Sequence, residues 1–238
     1  MRLLVRTWNL FHGNASPPRR RAFLEEMVRL ATADRPDLLC LQELPLWSLP
    51  KLEPWSKMQS VPDVTRHAPL GVGLGRAVTA LNHGLVRSAL TGQANAILVA
   101  RSMRIREHRS VALNRGGEPR RCQVVRLERE GRTLAVGNVH ADSRSADSEL
   151  VSAARFVRTF AGAGEPFVLA GDFNVAFAES HALPALAEEG LSGATPTGID
   201  HILSLGLEGP PGEPWRVSRR TVDGVVLSDH PPVERELR

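Results

Sequence analysis

Short apolar runs that end in polar residues alternate along the chain with segments whose apolar positions recur at helical spacing. The first run, LLVRTWN, and the third segment, DLLCLQE, are typical of buried strands. Between them, four apolar residues share one face of a helix: Phe23, Met27, Leu30 and Ala31. The opening of the chain therefore predicts a strand, a helix and a strand.

The same alternation continues to the end of the chain. NAILVA, QVVRLERE and TLAVGNVHAD predict strands, with a turn at Glu130 and Gly131 between the last two. A helix is predicted through Leu150, Ala154, Val157 and Ala161, followed by the strand FVLAGD and a helix from an N-cap at Ser180 to a stop at Gly190. GIDHIL, GVVLSDH and PPVEREL predict the last strands, and GPPGEP at 209–214 predicts a surface loop. Without a repeat or a linker, residues 1–238 are expected to form one α/β domain.

Composition narrows the class of protein. With 238 residues, 42% of them hydrophobic, the chain can bury a substantial core. The net charge is only +4. The pI is near 10 because almost all of the 30 basic residues are arginine and tyrosine is absent. The high pI is therefore weak evidence for nucleic-acid binding. Cys40 and Cys122 lie in apolar stretches and are expected as buried free thiols. No apolar run is long enough for a signal peptide or a membrane span, which favours a cytoplasmic protein, expected as a monomer.

Polar residues stand at the ends of most predicted strands. Taken singly, each is more typical of a turn, a cap or a satisfied histidine than of a catalytic site. Together they suggest one cluster, because strand ends of α/β sheets are common positions for sites. The residues are Asn9, Glu43, His140, Asp172, Asn174, Asp200, Asp229 and His230. His201 should alternate to the opposite face of its strand and is left out of the cluster.

Seven motifs occur in an order and spacing that resemble the endonuclease/exonuclease/phosphatase superfamily, the deoxyribonuclease I-like metal-dependent phosphohydrolases. They are TWNLFHGN, LCLQEL, NAILVAR, GNVHAD, LAGDFN, GIDHIL and LSDHPPV. The resemblance covers almost the whole chain. It implies a four-layer α/β sandwich, in which two packed mixed β-sheets are flanked by helices and the site lies at one edge.

Phosphodiester hydrolysis places negative charge on phosphate oxygens, which a hard divalent cation with oxygen ligands can offset. Mg²⁺, with Mn²⁺ as a substitute, is therefore the expected cofactor. By similarity to the family, Glu43 is the principal metal ligand, and Asn9 and Asp229 complete or support its shell. Asp172 would orient or deprotonate the attacking water, and Asn174 would hold water or a phosphate oxygen.

Two histidines and two further positions complete the expected site. The resemblance pairs Asp200 with His230, which would keep that imidazole charged for a phosphoryl oxygen, and makes His140 the second site histidine. Relatives of this kind place residues such as Asn95 and the Arg120–Arg121 pair near the substrate, with Arg121 and Asn95 as our candidates. A solvated charge pair is the alternative interpretation of the arginines.

Three functions compete. We expect a metal-dependent hydrolase of phosphodiester bonds, a nuclease or a general phosphodiesterase with nucleic acid among its candidate partners. The alternatives are a hydrolase of lipid headgroups or other small phosphoesters, and an inactive binding module. An abasic-site endonuclease is disfavoured, since that branch places a tyrosine in the site and this chain has none. Residues 44–94 match no motif; their Trp47 and Trp55 either shape substrate choice or simply pack.

Overall fold

The computed structural model describes residues 2–238, except for the side chains of Arg87 and Ser88. The strands are β1 (Leu3–Asn9), β2 (Leu38–Leu44), β3 (Gln59–Arg66), β4 (Gln93–Val99), β5 (Arg104–Ala112), β6 (Arg121–Arg129), β7 (Arg132–His140), β8 (Phe167–Asp172), β9 (Asp200–Leu205), β10 (Glu213–Pro214), β11 (Thr221–Val222), β12 (Val225–Val226) and β13 (Val233–Leu237). The helices are α1 (Leu24–Thr32), α2 (Leu52–Ser56), α3 (Val72–Leu81), α4 (His83–Thr91), α5 (Ala146–Ala161) and α6 (Ala182–Glu188).

These strands form two mixed sheets and a small hairpin. The six-stranded sheet has the order β10-β13-β1-β2-β4-β3, and the five-stranded sheet has the order β5-β6-β7-β8-β9. Each sheet contains one parallel pair, β1 with β2 and β7 with β8. The two parallel pairs run toward the same edge of the molecule, so the polar ends of four strands meet there.

The layers follow from the alternation of side chains along each strand. On β2, Leu38 and Cys40 pack against the other sheet, whereas Leu39 and Leu41 face α1. The outer face of the five-stranded sheet packs against α5 and α6. The molecule is thus the expected sandwich of two mixed sheets flanked by helices. Cys40 and Cys122 are buried free thiols, as expected.

Several local predictions differ from the structure. The predicted strand GVVLSDH is wrong beyond Val225–Val226, because Ser228 adopts a left-handed backbone (φ 59°) that ends the extended segment. Pro214 and Glu213, predicted in a loop, pair with β13. Helix α6 begins at Ala182, although Ser180 Oγ accepts a hydrogen bond from the Leu183 N–H as a cap would. No helix in the described part of the chain could cross a membrane.

Candidate active site

The polar ends of strands from both sheets meet at one edge of the sandwich. Asn9 ends β1 and Asp172 ends β8, while Asp200 opens the antiparallel strand β9. Asp172 lies opposite His140 on one side and Asp200 on the other in the pairing register. The sequence positions are distant, yet the strand topology brings these side chains together.

A buried amide network joins the two sheets below this edge. Gln42 Nε2 donates to Asn138 Oδ1 at 2.8 Å. Asn138 Nδ2 donates to the backbone carbonyls of Leu41 and Ala96, each at 3.0 Å. Because both amides are fully buried, these bonds fix the spacing of the sheets where the site is built.

Asp172 is the centre of the cluster. Its two carboxylate oxygens accept hydrogen bonds from Asn9 Nδ2 at 2.9 Å and from the Asn174 N–H at 3.0 Å. The Nε2 atoms of His140 and His230 lie 3.5 and 3.9 Å from its Oδ2 atom. Burial, followed by the charge of Asp200, raises the pKa of Asp172 to about 7. The two hydrogen bonds therefore fix the orientation of the Asp172 carboxylate, while burial and the charge of Asp200 make its ionisation unfavourable.

His230 forms a carboxylate–imidazole pair with Asp200, whose Oδ2 lies 2.8 Å from His230 Nδ1. Burial alone would lower the pKa of His230, but the hydrogen bond and charge of Asp200 raise it to about 10. The Trp8 indole N–H donates to the His230 carbonyl at 2.9 Å and holds the loop against β1. At neutral pH His230 is thus an imidazolium with a fixed direction.

Glu43 lies in a β-bulge, where the register between β2 and β4 shifts and the backbone is left-handed (φ 56°). Its Oε2 atom is 3.0 Å from His12 Nε2, and its Oε1 atom is 3.9 Å from His140 Nε2. Burial acts against ionisation, but the hydrogen bond and charge of His12 hold the pKa of Glu43 well below its usual range. Glu43 is therefore a stable carboxylate at neutral pH.

His140 has the opposite charge state to His230. Burial, and then the guanidinium of Arg120, lower the pKa of His140 to about 3. Arg120 Nη1 lies 2.8 Å from His140 Nε2. The site thus holds one neutral and one protonated imidazole on either side of Asp172, an arrangement suited to different proton-transfer roles.

Seven of the eight strand-end residues are joined by these contacts; Asp229 is the exception. Asp229 is exposed in the loop before His230, and Ser228 of that loop donates to the Asn9 carbonyl at 2.7 Å. Asn174, also left-handed (φ 53°), donates its side-chain amide to the Ala141 carbonyl at 2.8 Å. Left-handed residues recur at this edge, which is typical of functional sites that hold strained backbone.

The two substrate-binding candidates have different surroundings. Asn95 is fully buried on β4 opposite the bulge that carries Glu43, and its amide has no hydrogen-bond partner among the described residues. Arg121 instead pairs with Asp63 at 3.0 Å, while its neighbour Arg120 contacts the cluster. The structure brings Arg120 to the site in place of Arg121.

His12 is the residue that sequence reasoning missed. It lies in a short 3-10 turn (Phe11–Gly13) with a left-handed backbone (φ 53°), three positions after Asn9. The only signal was its place in the TWNLFHGN motif, directly after a polar strand end.

Asp172, Asp200 and His230 also offer ligand atoms within 4.8 Å of one another, which makes them a possible metal-binding group.

Comparisons with known proteins agree with this architecture. The profile described as Endonuclease/Exonuclease/phosphatase family matches residues 7–230. A search of curated proteins returned no match.

Three solved structures illustrate the likeness of fold. The mannosyl-6-phosphatase Bt3783 of Bacteroides thetaiotaomicron is 18% identical, with 99% of each chain covered and a TM-score of 0.68. The human Nocturnin catalytic domain with bound sulfate is 16% identical, with 100% of this chain and 93% of that chain covered and a TM-score of 0.68. TDP2 of Caenorhabditis elegans is 15% identical, with 100% and 75% covered and a TM-score of 0.67.

Proposed function

Because the chain belongs to the endonuclease/exonuclease/phosphatase family, whose members hydrolyse phosphoester bonds, we propose that it is a divalent-metal-dependent hydrolase of phosphodiester bonds. Its substrates would be those of a nuclease or a general phosphodiesterase. The observation that carries the proposal is the convergence on Asp172 of two amide donors and two histidines in different charge states. This set matches the needs of in-line attack by water on a phosphate.

The donor set fits a hard divalent cation. Carboxylate and amide oxygens lie at this edge, and Asn95 Oδ1, opposite the bulge that carries Glu43, is buried with no hydrogen-bond partner among the described residues. Glu43 would be the principal ligand, with Asn9 and Asp229 supporting it. The cluster of Asp172, Asp200 and His230 is less suitable for Mg²⁺, because the raised pKa of His230 keeps both of its ring nitrogens protonated at neutral pH and hard cations prefer oxygen. A bound cation would offset the negative charge that builds on the phosphate oxygens.

The chain's own residues would position water and move protons. Asp172, held by Asn9 and Asn174, would orient the attacking water and accept its proton. His230, kept protonated by Asp200, would donate a hydrogen bond to a phosphoryl oxygen. Neutral His140 and the guanidinium of Arg120 would face the developing charge and the leaving oxygen.

A substrate panel with Mg²⁺ tests the proposal. It would comprise plasmid DNA, single-stranded DNA, RNA, phosphoinositides and a soluble aryl phosphodiester, each assayed with and without excess EDTA. Hydrolysis of a phosphodiester that stops in EDTA and in Asp172→Asn is the expected result. Asp223→Asn is the matched control, since Asp223 is exposed and its left-handed turn (φ 50°) tolerates asparagine. Undiminished turnover in EDTA would contradict the dependence on a metal. Inactivity on every phosphoester would contradict the proposal that the protein is a hydrolase.

A further inference from the structure

An unusual apolar surface lies outside the site. Nine large hydrophobic side chains are exposed among the described residues, and five of them fall between positions 70 and 85. The largest exposures are those of Leu81 and Leu85, at 78% and 79%. The five are Leu70, Val72, Leu74, Leu81 and Leu85. We call residues 70–91, which include α3 and α4, the helical hairpin.

The chain segment that contains this hairpin carries basic side chains but no acidic ones. The sequence contains no Asp or Glu from position 64 to position 106. Arg20 and Arg76 lie at a cavity of about 230 Å³ beside the hairpin, and neither makes an ion pair with any described carboxylate. The hydroxyl of Thr79, only 2% exposed, lines the same cavity and has no hydrogen-bond partner among the described residues.

The hairpin is fixed to the same edge of the molecule as the candidate active site. It connects the end of β3 to the start of β4, and β4 runs antiparallel to the strand that ends near Glu43. The His83 N–H donates to the Arg20 carbonyl at 2.9 Å, and the guanidinium of Arg76 lies 4.9 Å from the Trp47 ring centre. A Cβ atom at position 75 would lie 2.1 Å from the Leu90 carbonyl oxygen, so α3 and α4 approach each other too closely there for any residue but glycine.

We propose that the helical hairpin docks the protein onto an anionic lipid bilayer. The exposed leucines would enter the boundary between headgroups and acyl chains, and the arginines would contact lipid phosphates. The cavity between Arg20, Arg76 and Thr79 would take a headgroup phosphate. The attached edge, with Glu43 and Asp172, would then lie near phosphoesters at the membrane surface.

Charge and exposure together favour a bilayer over other partners. A symmetric dimer through the hairpin would place arginines of one copy against those of the other. A nucleic acid would use the arginines but would leave the leucines in water. An anionic bilayer satisfies both the apolar and the basic parts of the surface. This inference goes beyond the proposed function, and its test needs neither metal nor turnover.

Vesicle flotation of the full chain in EDTA tests the proposal, with phosphatidylcholine vesicles that contain or lack phosphatidylserine. The wild-type protein should bind the anionic vesicles, and Leu81→Ser/Leu85→Ser should weaken this binding by roughly tenfold or more. Val217→Ser, which changes a 55% exposed side chain outside the hairpin, should bind as the wild type does.

A second pair of variants tests the basic part of the surface. Arg20→Ala/Arg76→Ala should weaken binding to anionic vesicles by about fivefold for each arginine and reduce its dependence on salt. Arg104→Ala, an exposed arginine at the far end of β5, is the matched control. All variants should retain the thermal stability of the wild type and any activity on a soluble aryl phosphodiester.

Three results would overturn the docking surface. The first is the absence of binding to anionic vesicles. The second is a dimer in light scattering that Leu81→Ser/Leu85→Ser dissociates, which would assign the leucines to self-association. The third is binding of an oligonucleotide that depends on Arg20 and Arg76 without any binding to vesicles. Loss of phosphodiesterase activity is a separate result, since the flotation assay does not depend on catalysis.

Discussion

Replacing Asp172 with asparagine should stabilise the metal-free protein and sharply lower turnover. The pKa of Asp172 is about 7 against an ordinary 3.8; at 1.36 kcal/mol for each pH unit between them, its ionisation costs the fold ~4 kcal/mol at pH 8. Asparagine keeps the shape, but its NH₂ group would replace one oxygen that now accepts from Asn9 or Asn174, a loss of ~1–3 kcal/mol. The net gain is ~1–3 kcal/mol, or a rise in Tm of roughly 5 °C.

The difference in stability between the Asp172→Asn variant and the wild type should change sign with pH. The folded-state pKa of Asp172 is raised, so its contribution to stability is present below about pH 4 and is lost as the pH rises through about 7. The Asp172→Asn variant has no carboxylate at this position, so its stability does not fall in this way as the pH rises. It should be slightly less stable than the wild type at pH 4 and more stable at pH 8. Turnover should fall by roughly 100-fold or more at every pH.

Calorimetry across this pH range, in EDTA, measures the effect without a cation that would favour the charged carboxylate. Asp147→Asn is a control of opposite sign. Although burial raises the pKa of Asp147, hydrogen bonds from Ser180 and the backbone hold it below its ordinary value, so that variant should lose stability toward neutral pH. An Asp172→Asn protein that is less stable than the wild type at pH 8, with unchanged turnover, would refute the reasoning and make Asp172 a structural residue.

Three further predictions concern other residues of the candidate site and the network below it. Asp200→Asn removes the negative charge that helps to keep His230 protonated, so the imidazole should lose its proton at lower pH and turnover should fall most above about pH 7 in a pH–rate profile. Arg120→Ala should lower kcat/KM by roughly tenfold or more, and Arg121→Ala should have a much smaller effect; equal losses would contradict the placement of Arg120. Asn138→Ala removes three buried hydrogen bonds and should cost ~3 kcal/mol in urea unfolding, which an unchanged midpoint would disprove.

Much of the fold could be predicted from the chain because its central strands combine apolar runs with polar ends. The face of each side chain followed from simple alternation. His201 shows this: it points away from the cluster, accepting from the Thr195 N–H at 3.0 Å and contacting the Val175 carbonyl at 3.0 Å. The expected meeting of Asn9, Asp172 and His230 likewise follows from their places at strand ends, although their roles stay predictions.

The features that could not be predicted depend on local backbone conformation or on side chains that stay exposed to solvent. The left-handed residues His12 and Ser228 turn the chain where the apolar pattern gives no sign, so one site residue was missed and one strand was extended too far. The choice between Arg120 and Arg121 depends on a single step at the start of β6, which pattern alone does not fix. The helical hairpin leaves Leu81 and Leu85 in solvent, which the apolar pattern of the sequence does not reveal.

The pairing of β1 with β13, in which Leu3 lies opposite Leu237, has a consequence for the chain during its synthesis. The last strand completes the sheet that the first strand begins, and His230 lies just before it. Asn9 leaves the ribosome 221 residues before His230, which is roughly 10–45 s at ordinary elongation rates. During that interval the nascent chain carries the acidic and amide groups without their charged imidazole. A product that terminates before residue 230 would lack both that histidine and β13, the antiparallel neighbour of β1 in the six-stranded sheet.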